Sequence, residues 1–196
     1  MKKKEYGLKR KSRTTACEGS VLEFCRDTME LPDGKVEQWD FVHHKKGGGA
    51  CTVPVLPDGR ILMIRQYRPS VERETLELPA GARNRSDEDP MEAAVRELAE
   101  ETGYQAGRVR FLTRLKTAVA WCDEETFVYL AEDLTPAAGQ HLDEAEEIGV
   151  EAHSLSELLD LIFEGRLQDA KTVAGILAFA SCEGHQDLRV KDPSVQ

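Results

Sequence analysis

Apolar positions along this chain recur at two periods, and the change from one to the other divides it into elements. Between Pro90 and Thr102, residues Met91, Ala94, Val95, Leu98 and Thr102 fall on one arc when successive residues are turned by about 100°. That arc is the core-facing stripe of an α-helix. Its ends are marked too: Asp89 is a capping type, Pro90 suits the first turn, and Gly103 suits the C-terminal stop. A second helix is predicted from Ser154, with Glu157 completing a capping box, through Phe163. A third starts at Asp169 and covers about 170–182.

Elsewhere the spacing is strand-like. Val21 to Met29 and Val36 to His44 flank a Leu31-Pro32-Asp33-Gly34 turn and read as a hairpin. Cys51 to Leu56 and Ile61 to Tyr67 flank Pro57-Asp58-Gly59 and read as a second hairpin, with Ile61, Met63 and Ile64 inside. Further strands are predicted over Thr75 to Leu78, Val109 to Lys116, Thr126 to Ala131 and Glu147 to His153. Residues 1–46 thus form an N-terminal β appendage, Lys45 to Gly49 a flexible joint, and 47–182 the main domain. Residues 183–196 are polar and expected to be disordered. Strands and helices mix without βαβ regularity, which predicts an α/β or α+β domain with a mixed sheet.

The 196 residues suffice for one domain with its own core and a small appendage. A formal net charge of −10 argues against a nucleic-acid backbone or an anionic membrane as the main partner. A small phosphorylated molecule stays open, because a metal and a few arginines can make a local positive site. No apolar run is long enough to span a bilayer, and Met1-Lys2-Lys3-Lys4 lacks the apolar stretch of a signal peptide. Cys17, Cys25, Cys51, Cys122 and Cys182 are scattered and odd in number, the pattern expected of reduced thiols in a cytoplasmic protein. His43 and His44 are neighbours on a strand and point to opposite faces, which argues against a ligand pair.

The first helix also carries candidate chemistry. Glu97, Glu100 and Glu101 fall on an arc beside the apolar stripe. Like charges three and four residues apart repel by a few tenths of a kcal/mol per pair. They also crowd the C-terminal half, where the helix dipole disfavours negative charge. A solvated acidic face is one reading. A site for a hard divalent cation, which would remove both costs, is the other.

The stretch Gly81 to Tyr104 resembles the signature of the Nudix hydrolase family, G-x5-E-x7-R-E-U-x-E-E-x-G-U with U apolar. From Glu88 through Arg96-Glu97-Leu98-Ala99-Glu100-Glu101-Thr102-Gly103-Tyr104 every position matches. Six residues rather than five separate Gly81 from Glu88, lengthening the loop before the helix. Other segments resemble the ADP-ribose and nucleotide-sugar pyrophosphatase branch: Ile64-Arg65-Gln66-Tyr67-Arg68, Glu77-Leu78-Pro79-Ala80-Gly81, Asp123-Glu124 before a strand, and Ala170-Lys171-Thr172.

The resemblance implies a mixed sheet sandwiched between helices and an appendage exchanged across a homodimer. It also implies Mg²⁺-dependent hydrolysis of a nucleoside diphosphate sugar, with Mn²⁺ able to substitute. ADP-ribose, giving AMP and ribose 5-phosphate, is the leading substrate; GDP- and UDP-linked sugars are the alternatives. By position, Glu97, Glu101 and the Ala80 carbonyl would be metal ligands, with Glu100 close by. Glu124 would bind metal or position the attacking water. Arg68 would contact the substrate's phosphates or terminal ribose, Glu77 would also bind substrate, and Arg96 would pair with a signature acid. Val119 and Ala120 stand where the branch usually has Pro and Gly. Trp39 and Trp121 are either core residues or platforms for a base. A non-catalytic nucleotide sensor of the same fold should have lost signature acids, and here none is lost.

Overall fold

The computed structural model describes residues 6–137, 139–142 and 147–184. The expected disordered tail falls largely on residues 185–196, outside those described. The last helix, α3, covers Ala170–Gly184, slightly longer than expected.

Three strands form an N-terminal antiparallel sheet in the order β1 (Lys9–Glu18), β2 (Leu22–Glu30), β3 (Val36–His44). The β2–β3 pair is the predicted hairpin. β1 was not predicted: all ten of its residues are exposed, so it lacks an apolar alternation. Its backbone ladder to β2 holds it, with charged pairs across the two strands. Arg13 makes a bidentate bond to Asp27 at 2.8 and 2.9 Å, and its guanidinium lies 4.2 Å from the centre of the Phe41 ring.

A four-stranded mixed sheet follows the order β7 (Ala80–Ala82), β4 (Gly48–Pro54), β9 (Glu125–Pro136), β8 (Tyr104–Lys116), with β4 parallel to β9. A third sheet is β10 (Ile148–His153), β5 (Ile61–Arg68), β6 (Arg73–Glu77). The predicted second hairpin is therefore wrong. The Pro57-Asp58-Gly59 turn exists, with Gly59 N–H donating to Leu56 O at 2.9 Å. It passes the chain from one sheet to another, with an isolated Val55–Ile61 bridge and a Leu56 N–H to Arg60 O bond at 2.8 Å closing the turn. All seven residues of β4 are buried, because the strand is central and paired on both sides.

The predicted flexible joint is also corrected. Gly48 and Gly49 belong to β4 and are buried. Gly48 has φ +117°, and a Cβ there would lie 2.0 Å from the Glu125 carbonyl oxygen. These glycines admit close strand approach rather than motion.

Val53, Ile61, Met63, Leu78, Val128, Leu130, Leu158 and Ile176 form the main core, closed by α2 (Leu155–Phe163) and α3. The α2 capping box is present. Helix α1 (Pro90–Thr102) packs through Ala93 and Ala94 against Ala50 and Tyr129, and through Leu98 against Leu62, Ala131 and Leu134. Its predicted ends hold: the Asp89 side chain accepts from Met91 N–H, and Gly103 is left-handed at φ 71°. Its buried arc is rotated towards the acids, burying Glu101 and leaving Met91 40 % exposed. Among the described residues no helix is long and apolar enough to cross a membrane.

Candidate active site

Strand β7 is short and sits on β4 in the register Cys51–Ala80, Ala50–Gly81, Gly49–Ala82. Helix α1 crosses above it. Glu101, 3 % exposed, accepts the Ala80 N–H on Oε2 at 2.8 Å. Glu97, one turn earlier, lays its carboxylate over Gly81: a Cβ built there would fall 2.1 Å from the Glu97 carboxyl carbon. Two acids thus meet adjacent residues of one strand, and Gly81 is glycine because the carboxylate fills that space.

Arg96 ties the rest of the signature together. Its Nη1 bonds Glu97 Oε1 at 2.6 Å and Glu100 Oε2 at 3.0 Å, and its Nη2 bonds the Ala82 carbonyl at 3.1 Å. Its Nε is 3.7 Å from Glu88 Oε1. Glu88 also accepts the Asn84 N–H, which closes the longer loop. The extra residue therefore leaves Glu88 beside Arg96.

Strand β7, on which these acids rest, forms one wall of a cavity of about 670 Å³ that is also lined by Glu124 and Trp121 and by Arg68, Ser70, Asp169 and Lys171. Glu124 accepts from Thr117 Oγ1 at 2.7 Å. Its loop stays compact without the usual Pro and Gly, since Trp121 and Cys122 N–H both donate to Ala118 O, at 3.0 and 2.8 Å. Strand β3 braces the same loop. Val42 N–H donates to Trp121 O at 2.7 Å, and Asp123 takes both the His43 imidazole at 2.6 Å and the His44 N–H at 2.9 Å.

Glu77 is 2 % exposed and does not line the cavity. It holds two cations that do. Arg68 grips it through Nε and Nη2 at 2.8 and 2.7 Å, Lys171 bonds it from α3, and Thr75 Oγ1 donates at 2.6 Å. Burial would raise its pKa, but the Arg68 bond, with Lys171 beside it, outweighs burial and holds it at about 2. Lys171 also bonds Asp169 at 2.9 Å. Trp121 lines the cavity at 57 % exposed. Trp39 does not: it stands 44 % exposed on β3, along a shallow groove with Asp27, Phe41 and Ala120. Neither tryptophan is a core residue.

Among the described residues, no three His, Cys, Asp or Glu side chains form a ready metal cage. The donor chemistry nevertheless fits a hard divalent cation. Glu97 and Glu101 present carboxylate oxygens against one strand, the Glu97 carboxylate occupying the space above Gly81 that only glycine leaves. The sequence reading gave no role to Lys171, Asp169, Asp123 or His44. Lys171 and Asp123 lie in segments already singled out, and His44 belongs to the His43-His44 pair, considered only as a ligand pair and set aside.

A family model, the NUDIX domain, matches residues 45–175. The chain is 35 % identical over 159 residues to the ADP-ribose pyrophosphatase of Bacillus subtilis, covering 81 % of this chain and 84 % of that one. Identity is also 35 %, over 161 residues and the same shares, to the methanol dehydrogenase activator of Bacillus methanolicus. It is 31 % over 176 residues to the ADP-ribose pyrophosphatase of Mycobacterium tuberculosis, with shares of 89 % and 84 %. Among solved structures, an ADP compounds hydrolase superposes with a TM-score of 0.81 at 22 % identity, over 94 % of this chain and 98 % of that one, which establishes a shared fold. The Glu97–Glu101 pair over Ala80–Gly81 therefore sits in the chain's matched region, and the chain belongs to the NUDIX family.

Proposed function

We propose that the chain hydrolyses the pyrophosphate bond of a nucleoside diphosphate sugar, with ADP-ribose giving AMP and ribose 5-phosphate. The observation that carries this reading is the pair of carboxylates converging on Ala80 and Gly81 at the wall of a cavity that also holds Arg68, Lys171 and Glu124. The names of the relatives from Bacillus subtilis and Mycobacterium tuberculosis favour ADP-ribose over GDP- and UDP-linked sugars.

Glu97, Glu101 and the Ala80 carbonyl would hold Mg²⁺, or Mn²⁺ in its place, with Glu100 and Glu124 as further candidates. When bound, the metal neutralises phosphate oxygens and lowers the pKa of its water. Glu124, oriented by Thr117, receives the proton of the attacking water. Arg68 and Lys171 bind the diphosphate, and Glu77 fixes both without touching substrate. Trp121 covers the substrate.

Residues 1–46 act as a dimerisation appendage to the hydrolase domain, 47–182. Their sheet exposes Leu22, Phe24, Val36 and Trp39, which a second copy would bury, and Trp39 then reaches a base in the partner's cavity. The free cysteines suit a reducing compartment such as the cytoplasm.

The test is a panel of ADP-ribose, ADP-glucose, GDP-mannose, UDP-glucose, NADH and 8-oxo-dGTP with Mg²⁺. ADP-ribose is expected to give the highest kcat/KM. No turnover of any nucleoside diphosphate sugar would leave a non-catalytic sensor as the better account.

A further inference from the structure

His44 ends β3 and lines the cavity while being only 5 % exposed. Its Nδ1 lies 2.9 Å from the Gly48 N–H. A backbone N–H can only donate, so Nδ1 is the acceptor and carries no proton. Burial holds the ring below its usual pKa, against the pull of Glu124 and Asp123, so it is neutral at pH 7. The single proton of the neutral ring is then on Nε2. Among the described residues, Nε2–H has no acceptor in the chain.

Its position matters. Gly48 stands opposite Glu125 in the β4–β9 ladder, and Gly49 stands opposite Ala82 in the β4–β7 pair. The ring therefore sits between the strand under Glu97 and Glu101 and the loop carrying Glu124. Arg83 lies beside it, its Nη2 packed where a Cβ on Gly47 would come within 2.4 Å. Arg83 Nη1 donates to the Ser86 carbonyl, its Nε is buried without a partner, and among the described residues it has no carboxylate. His44 thus brings a donor without an acceptor to a residue that lines the cavity, with the Arg83 guanidinium packed against neighbouring Gly47.

We infer that His44 binds substrate, its Nε2–H donating a hydrogen bond to a non-bridging oxygen of the diphosphate. The role rests on the function proposed above, and it is a neutral donor's role: it grips an anionic oxygen without competing with a metal for the carboxylates.

Two isosteric substitutions separate this role from a structural one. In His44→Asn the side-chain oxygen can still accept from Gly48 N–H, but the Nε2 donor is gone. In His44→Gln the amide nitrogen takes the place of Nε2, and the bond to Gly48 is lost. Calorimetry with inorganic pyrophosphate in Mg²⁺ buffer measures binding without turnover. The wild type and His44→Gln are expected to bind alike, and His44→Asn about tenfold or more weakly, the usual scale for a hydrogen bond to a charged acceptor. In ¹⁵N spectra of the wild type, which need no variant to fold, His44 should show a protonated Nε2 that shifts on adding pyrophosphate. Full binding by His44→Asn, no binding by the wild type, or an unresponsive Nε2 would overturn the inference. Failure of the function itself is read separately, from the wild type on the substrate panel.

Discussion

Gly81 shows how one hydrogen in place of a side chain can position a carboxylate of the signature. A Cβ there would meet the Glu97 carboxylate, the far end of a flexible side chain, so Glu97 would move and the strand would not. Gly81→Ala is expected to keep a thermal midpoint near that of the wild type while kcat falls by on the order of tenfold or more. Loss of both together would mean that Gly81 serves the fold. Glu77 is a second case. Its carboxyl titrates at about 2 instead of 4.5, and depression of this kind contributes stability that is full above 4.5 and lost as pH falls towards 2. The contribution is of order 3 kcal/mol at neutral pH. Glu77→Gln should therefore destabilise strongly at pH 7, where Arg68 loses its counter-charge and Lys171 keeps only Asp169, and much less at pH 2. Denaturant curves for the two proteins should converge over that window; parallel curves would contradict the reading.

At the scale of elements, β4 decides the arrangement, and it does so through contacts that are distant in sequence. Gly48→Ala would place a Cβ 2.0 Å from a backbone oxygen of β9, at a φ that L side chains rarely adopt. Backbone cannot swing aside, so a loss of several kcal/mol in urea unfolding is expected, unlike Gly81→Ala. Helix α1 was legible in the sequence because its caps and stripe are local, and so were α2 and the β2–β3 hairpin. The signature acids Glu97 and Glu101 were legible for the same reason. The partners of β4 were not. An apolar run next to a turn looks like half of a hairpin, and only burial on both faces shows a central strand. β1 escaped because its ladder to β2 carries no apolar alternation. The lock on Glu77 joins Arg68 nine residues away to Lys171 ninety-four residues away, and the His44–Gly48 bond depends on how β3 turns into β4. The first is invisible to any local spacing, and the second, though only four residues long, needs the φ of +117° at Gly48 that the β4–β9 pairing imposes.

At the scale of the whole molecule, β3 links the N-terminal sheet to the loop bearing Glu124, so the proposed dimer surface and the proposed site share one element. The exposed apolar residues of that sheet predict a dimer: light scattering should return twice the chain mass, and Trp39→Ala should raise KM more than it lowers kcat. A monomer with full activity would remove Trp39 from the site. The central claim is that Glu97 and Glu101 make this NUDIX chain a metal-dependent pyrophosphatase. The most direct measurement is the initial rate of AMP formation from ADP-ribose by the wild type, Glu97→Gln and Glu101→Gln, with Mg²⁺ and with excess EDTA. Turnover that EDTA abolishes, and that each substitution lowers by on the order of a hundredfold or more, is the predicted result. Wild-type rates in EDTA, or near-normal rates in both variants, would contradict it.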